Sequence, residues 1–214
     1  MGKLPLAFSV LSIAGLAACS SGGAGSGSGG GSTAAAEKFE AAKAALIAVG
    51  PDNENLVAVD PGDLPSTANM TGYLGLYSSD GSTLYLGTAS ATADFDAGQL
   101  SGGVDDFTEY ALSDTCNDPD LSLCQGTPGQ SLAGSLGLDG DISGTSFDYY
   151  GDGTVTGTFN GEAGTVYVDY GGSGDIGTLN GSLIMSGGGD SYVEVDINGN
   201  VDDFFMENSL YLEN

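Results

Sequence analysis

From Thr71 to the carboxy terminus, apolar and polar residues alternate with a period of two. Leu74 and Leu76 alternate with Tyr73, Gly75 and Tyr77, and Ala89, Ala91, Ala93 and Phe95 with Ser90, Thr92 and Asp94. Val166, Val168 and Tyr170 alternate with Thr165, Tyr167 and Asp169, and Val193, Val195 and Ile197 with Tyr192, Glu194 and Asp196. Successive side chains of a strand point to opposite faces, so each run offers one face to a core and one to water. Asn160-Gly161 and Asn180-Gly181 sit between β-branched and aromatic flanks, the strongest short-range hairpin signal, because both residues tolerate the positive φ of a tight type I′ turn. Asp80-Gly81, Asp139-Gly140, Asp152-Gly153 and Asn198-Gly199 repeat the punctuation and predict further turns.

Counting runs between these turns gives about eight to eleven strands, hosted by a barrel or a sandwich. Closure into a barrel removes exposed edges, so an all-β, antiparallel up-and-down soluble β-barrel of about eight strands is predicted over residues 70–214. The runs are mostly shorter than the ~9 to 11 residues a membrane-crossing strand needs, so the barrel is not expected to be embedded.

Ahead of the β region the period changes. Residues 33–50 open on TAAAEKFEAAKAALIAV, rich in helix formers, with Ser32 or Thr33 as cap and Gly50-Pro51 as stop. Phe39, Ala42, Leu46 and Val49 form a thin apolar stripe. It is expected to pack on the body, with a stalk or partner-binding helix as the alternative, since an isolated helix of this length is marginal in water. Residues 51–69, with Pro51, Pro61 and Pro65, read as a linker.

Residues 1–18 combine a short positive start at Lys3 with an apolar run, the pattern of an export signal. The run ends in Leu16-Ala17-Ala18-Cys19, which resembles the lipobox of bacterial lipoproteins. That resemblance implies cleavage before Cys19 and lipidation of its thiol. Residues 19–32 then form a Gly/Ser tether, and Ser20 after the lipidated residue implies sorting to the outer membrane. The membrane is thus a partner through the lipid anchor, which burial of about 0.8 kcal/mol per CH₂ stabilises.

Charge narrows the function. The chain has three basic residues, 29 acidic residues and no histidine. Such a polyanion repels phosphate backbones, so no nucleic-acid partner is expected. A His-based triad and His-ligated zinc or haem cannot be built from this chain. Acidic pairs such as Asp139 with Asp141, or Asp148 with Asp152, fall at turn signals; no catalytic pair stands out, and the chain reads as a non-enzyme without a resident cofactor.

With Cys19 assigned to lipid, Cys116 and Cys124 remain as an even pair in an oxidising compartment and are expected to form a disulfide, worth about 2 to 3 kcal/mol on loop-entropy grounds. It staples the longest break in the strand pattern, residues 113–130, the best position for a binding loop. Tyr110, Tyr149 and Tyr150 are the neighbouring aromatics expected to be exposed and to contact a ligand. Asp196, Asn198, Asn200, Asp202 and Glu207 match the spacing of a calcium loop, although Val201 stands where that loop needs glycine and a plain hairpin explains the stretch as well.

The segment Ala91-Thr92-Ala93-Asp94-Phe95-Asp96-Ala97-Gly98-Gln99-Leu100-Ser101-Gly102 resembles a hairpin of the transferrin-binding-protein-B-like barrels of Gram-negative surface lipoproteins. Thr156-Gly157-Thr158-Phe159-Asn160-Gly161 and Gly177-Thr178-Leu179-Asn180-Gly181-Ser182-Leu183 are similar to their repeated strands. The similarity spans about residues 70–185; beyond Met185 the family's closing strand is replaced by a different sequence. The resemblance implies a lipid-anchored barrel on the cell surface, or on the periplasmic face, that binds an extracellular protein, an iron- or haem-related ligand or another solute. The alternative is a structural spacer of the envelope without a specific ligand.

Overall fold

The structure is a computed structural model and describes residues 30–117, 121–159 and 162–214. The export signal, Cys19, most of the tether and the Asn160-Gly161 pair lie outside the described residues. One helix, α1 (Gly30–Val49), precedes the β region, starting three residues before the expected start at Thr33. A two-residue strand β1 (Val57–Ala58) and two 3-10 turns follow. The long strands are β2 (Thr67–Ser78), β3 (Thr83–Asp94), β4 (Gln99–Leu112), β5 (Gly126–Ser143), β6 (Ser146–Phe159), β7 (Glu162–Leu179), β8 (Ser182–Ile197) and β9 (Asn200–Glu213). Each pairs antiparallel with the next, and β9 returns to pair with β2. The result is the predicted closed, eight-stranded up-and-down barrel. β1 adds to the end of β7, with Val57 opposite Thr178.

Two of the turn signals are strand interiors instead. Asp139-Gly140 lies within β5 and Asp152-Gly153 within β6. A Cβ on Gly140 would stand 2.4 Å from the Asp148 carbonyl oxygen, and one on Gly153 would stand 2.5 Å from that of Ser135. These glycines let neighbouring backbones approach closely rather than reverse the chain. Other strand glycines make room for rings: a Cβ on Gly172 would meet the Tyr149 hydroxyl at 2.6 Å, and one on Gly151 would meet the Tyr170 ring at 2.8 Å. Asn180-Gly181 and Asn198-Gly199 are tight turns as expected, with φ of 53° and 94°, and of 56° and 81°.

Because those glycines do not end strands, the strands run 12 to 18 residues, long enough to cross a bilayer. Strand length is therefore no obstacle to embedding. The distribution of side chains opposes it instead. Leu74, Val104, Phe107, Leu138, Met185 and Leu212 fill the interior, whereas Asp148, Asp152, Thr154, Asp169, Glu194 and Asp203 lie on the outside. A membrane-embedded barrel shows the reverse, with an apolar band facing lipid.

The lumen is packed. Tyr149, Tyr170 and Phe147 stack within it, with ring centroids 5.7 and 6.3 Å apart. Their polar ends are satisfied: the Tyr149 hydroxyl donates to Asn208 Oδ1 at 2.5 Å, Asn208 Nδ2 donates to Ser191 Oγ at 3.0 Å, and the Tyr170 hydroxyl donates to the Gly137 carbonyl at 2.6 Å. An apolar void in the lumen, near Phe107 and Met206, measures about 20 Å³, too small for an organic ligand.

On the outside, Asp141 faces Asp148, Asp152 faces Asp169, Asp190 faces Glu207 and Glu194 faces Asp203 across neighbouring strands. Like charges directly opposite destabilise by a few tenths to about 1 kcal/mol per pair. The two lysines of the described residues both lie on α1. Raising NaCl to 1 M shortens the screening length to about 3 Å. The melting temperature should rise by about 3 to 6 °C relative to 50 mM NaCl, on the scale of 2 to 4 °C per kcal/mol for this size. Scanning calorimetry across a salt series checks this; a flat series would show that the opposed carboxylates do not strain the barrel.

Candidate functional site

The helix lies against the outside of the barrel. Strand alternation sends Leu74 and Leu76 of β2 inward and Tyr73 and Tyr77 outward, and it sends Leu84 and Leu86 of β3, Tyr110 of β4 and Tyr211 of β9 outward too. Leu84, Leu86, Tyr110 and Tyr211 are buried, and Tyr73 and Tyr77 half-buried, because α1 covers this strip with Phe39, Ala42 and Val49. Phe39 packs on Tyr110 with ring centroids 5.3 Å apart, and the Tyr110 hydroxyl donates to the Ala35 carbonyl at 2.7 Å. The expected apolar stripe therefore docks on the body. At about 1.5 Å per residue, the helix is about 30 Å long, enough to cross five strands spaced about 4.8 Å apart.

Charge supports the docking. Lys38 Nζ pairs with the Asp106 carboxylate at 3.1 Å and donates to the Asp106 carbonyl. Asp106 has φ of 51° at an irregularity of the β4–β5 ladder. Lys43 Nζ pairs with Glu40 at 2.7 Å, donates to the Cys124 carbonyl at 3.0 Å and stands 5.7 Å from the Phe39 ring centroid.

The covering is incomplete. Between α1 and the barrel wall runs a groove of about 500 Å³. Its floor follows from the register of β2 on β9, where Tyr73 faces Tyr211, Gly75 faces Ser209 and Tyr77 faces Glu207. Two small residues meet on the middle rung, between rungs carrying tyrosines. A Cβ on Gly75 would reach the Tyr77 ring at 3.0 Å and Leu84 Cδ1 at 3.2 Å, so glycine makes room for that ring, whose hydroxyl lies 3.5 Å from Ser209 Oγ and which helps to form the groove's floor. Leu46, the stripe residue that remains half-exposed, faces this groove from the helix. Leu112, the β2–β3 turn and the two cysteines complete the lining.

Burial raises the pKa of Tyr77, offset in part by its hydrogen bond with Ser209, and burial raises that of Tyr73 as well. Asp80 in the turn accepts hydrogen bonds from the Ser78 hydroxyl at 2.7 Å, the Ser82 amide at 3.0 Å and the Ser82 hydroxyl at 2.7 Å. These donors lower its pKa to about 2. A second hollow of about 620 Å³, near Asp52, Asn53, Asp141 and Asp175, mixes polar and apolar lining and has Phe147 as its one aromatic side chain.

Cys116 and Cys124 form the expected disulfide, and it stands beside the helix-covered cluster at the groove. The loop that it staples is shorter than expected, since β5 begins at Gly126 and Gln130 lies within the ladder, bridging Glu109 and the Thr158 backbone.

The aromatic expectation is corrected at two of three positions. Tyr110 is buried beneath the helix and Tyr149 inside the lumen, each at 1% exposure or less, while Tyr150 is exposed at 52%. Tyr149 and Tyr150 are adjacent on one strand and must face opposite ways. Tyr110 faces outward as expected but is covered by α1, whose position no local pattern reveals.

The calcium reading is likewise corrected. Residues 196–207 form the β8–β9 hairpin, with Asp196 capping its turn through the Gly199 amide at 2.8 Å. Asn198 turns to Glu162 at 3.1 Å and Asn200 to the Ile197 carbonyl at 3.3 Å. Alternation puts Asp202, opposite Val195, on the other face from Asp196 and Glu207, so the five do not converge. Among the described residues, no group of three or more metal-ligating side chains comes together.

No protein family, characterised protein or solved structure was found to match the chain. The groove was missed in the sequence because it depends on β9 meeting β2 in one register. The available signal was the Tyr-x-Gly-x-Tyr triplet on the outward face of β2, whose middle member cannot fill the surface.

Phe39→Ala removes the ring that anchors α1. It is expected to speed proteolysis within residues 33–49 at least tenfold while leaving the far-ultraviolet β signal intact, as limited digestion with circular dichroism will show. For Asp80, whose folded pKa lies below the ordinary 3.8, the turn's stabilisation is present above pH 3.8 and is lost as pH falls through about 2. A carboxyl-carbon NMR titration should find its midpoint near pH 2.

Proposed function

We propose that the chain is a secreted, lipid-anchored binding module of the outer membrane, whose β-barrel holds a small organic solute in the groove between α1 and the β2–β9 seam. The groove carries this reading: about 500 Å³ of concave space with aromatic and aliphatic walls and a set of convergent polar groups is the usual form of a small-ligand site. The packed lumen directs binding to the outside of the barrel, unlike barrels that hold ligands within. A solute is favoured over a large protein partner because Tyr73, Tyr77 and Tyr211 line a recess while the Cys116–Cys124 segment has no aromatic residue.

The address rests on the lipobox-like Leu16-Ala17-Ala18-Cys19 and the Gly/Ser tether, which precede the described residues. The resemblance to transferrin-binding-protein-B-like surface lipoproteins supports the same address. In the structure its Asp94-Phe95 to Ser101-Gly102 segment is the β3–β4 hairpin, with Gly98 at φ 70° and the Ala97 amide bonded to Asp94 at 2.8 Å. No described helix is long and apolar enough to cross a membrane. The assignment of attachment to acyl chains on Cys19 rests on the lipobox resemblance.

Nile red, a neutral probe whose fluorescence rises in apolar surroundings, tests the site. The full chain carrying Cys19→Ala should bind it saturably. Ser209→Phe, which fills the middle rung, should weaken binding at least tenfold, while Tyr150→Ala on the exposed face should leave it unchanged. Equal binding by all three would remove the groove as the site, and no binding at all would favour a spacer without ligand. Mass analysis of the native protein should find acyl groups on Cys19; an unmodified thiol would overturn the anchor.

A further inference from the structure

The charges around the groove select among organic solutes. Its positive group, Lys43 Nζ, is already engaged by the Glu40 carboxylate at 2.7 Å and the Cys124 carbonyl at 3.0 Å. Its two carboxylates, Asp80 and Glu207, have no cation against them among the described residues, where Lys38 is paired with Asp106 and Lys43 with Glu40. Asp80 is held ionised by three hydrogen bonds from its own turn, so its charge persists at any pH at which the protein would be studied. Glu207 stands opposite Asp190 on one side and Tyr77 on the other, so a second carboxylate reinforces the negative potential where the groove opens. Behind these carboxylates the walls are rings: Phe39, Tyr73, Tyr77 and Tyr211. Aromatic faces attract cations, and most strongly where water is excluded. The Phe39 ring already has the Lys43 ammonium 5.7 Å from its centroid.

We infer that the groove takes a positively charged amphiphile, an ammonium or quaternary ammonium group on an apolar or aromatic body, with the charge between Glu207 and Asp80 and the body on the Gly75–Ser209 floor. This rests on the groove being a small-ligand site. A carboxylate-headed amphiphile of the same length meets two carboxylates and an ammonium that is already paired. A chain with formal charge −26 adds a long-range preference of the same sign.

The test compares three probes of equal chain length: octyltrimethylammonium, octanol and octanoate. Each is titrated calorimetrically, below its micelle-forming concentration, into the full chain carrying Cys19→Ala. The expected order is octyltrimethylammonium about tenfold or more tighter than octanol, with octanoate weakest. Glu207→Gln should reduce the cation's advantage about fivefold without changing octanol, and 0.5 M NaCl should reduce it as well. Ser209→Phe should weaken all three; if that variant fails to fold, Leu46→Trp fills the groove from the helix side. Octanol or octanoate binding as well as the cation, in a manner sensitive to groove filling, would overturn the charge assignment and leave the groove as a site. Binding of no probe, or binding indifferent to both filling variants, would overturn the site and the charge assignment together.

Discussion

The pairing of β2 with β9 is the contact on which the rest of this molecule depends. It joins residues far apart in sequence, Thr71 to Glu213 and Ser78 to Met206, and converts a meander with two open edges into a closed barrel. Because side chains alternate, the register also decides which outward groups become neighbours. It sets Gly75 against Ser209 between the Tyr73–Tyr211 and Tyr77–Glu207 rungs, with the Tyr77 ring laid over Gly75, and along these rungs α1 leaves the groove uncovered. A slip of one residue would turn either Leu74 and Leu76 or Leu210 and Leu212 to the outside, and the tyrosines of that strand inward. Burial of the leucines, each near 0 to 3% exposed, stabilises the observed register over that alternative.

Around this seam, apolar packing and charge work in opposite directions. The lumen is closed by aromatic rings fitted against strand glycines, and Asn208 joins Tyr149 to Ser191 within it. The outer surface carries opposed carboxylates on four rungs, with no lysine or arginine after Lys43 to balance them. The two lysines of the described residues are both on the helix, and both are used to hold it. The barrel therefore has an acidic exterior interrupted by one covered aromatic strip, and the groove sits where the two meet. Both the solute binding and the preference for positive charge proposed for the groove rest on that junction.

Much of the fold was legible locally. The alternating runs of β2, β3, β7 and β8, the Asn180-Gly181 and Asn198-Gly199 turns, the stripe of α1 and the disulfide all depend on neighbours in the chain or on compartment chemistry. What misled was glycine. Gly140 and Gly153 follow aspartates as turn glycines do, yet they serve close backbone approach in mid-strand, which made the strands look shorter than they are. The site was legible only in its parts. Tyr110 has the parity expected of an exposed residue, but a helix some 70 positions away covers it. Calcium-loop spacing in residues 196–207 carries no information about faces, and the hairpin sends Asp202 away from Asp196.

The account stands on the register of the seam, and a nuclear Overhauser spectrum of the folded chain reads it most directly. Cross-strand contacts are predicted between Thr71 and Glu213, Tyr73 and Tyr211, Gly75 and Ser209, and Tyr77 and Glu207. A β2 and β9 without mutual contacts, or paired one residue out of this register, would contradict the closed barrel and the groove that its closure creates.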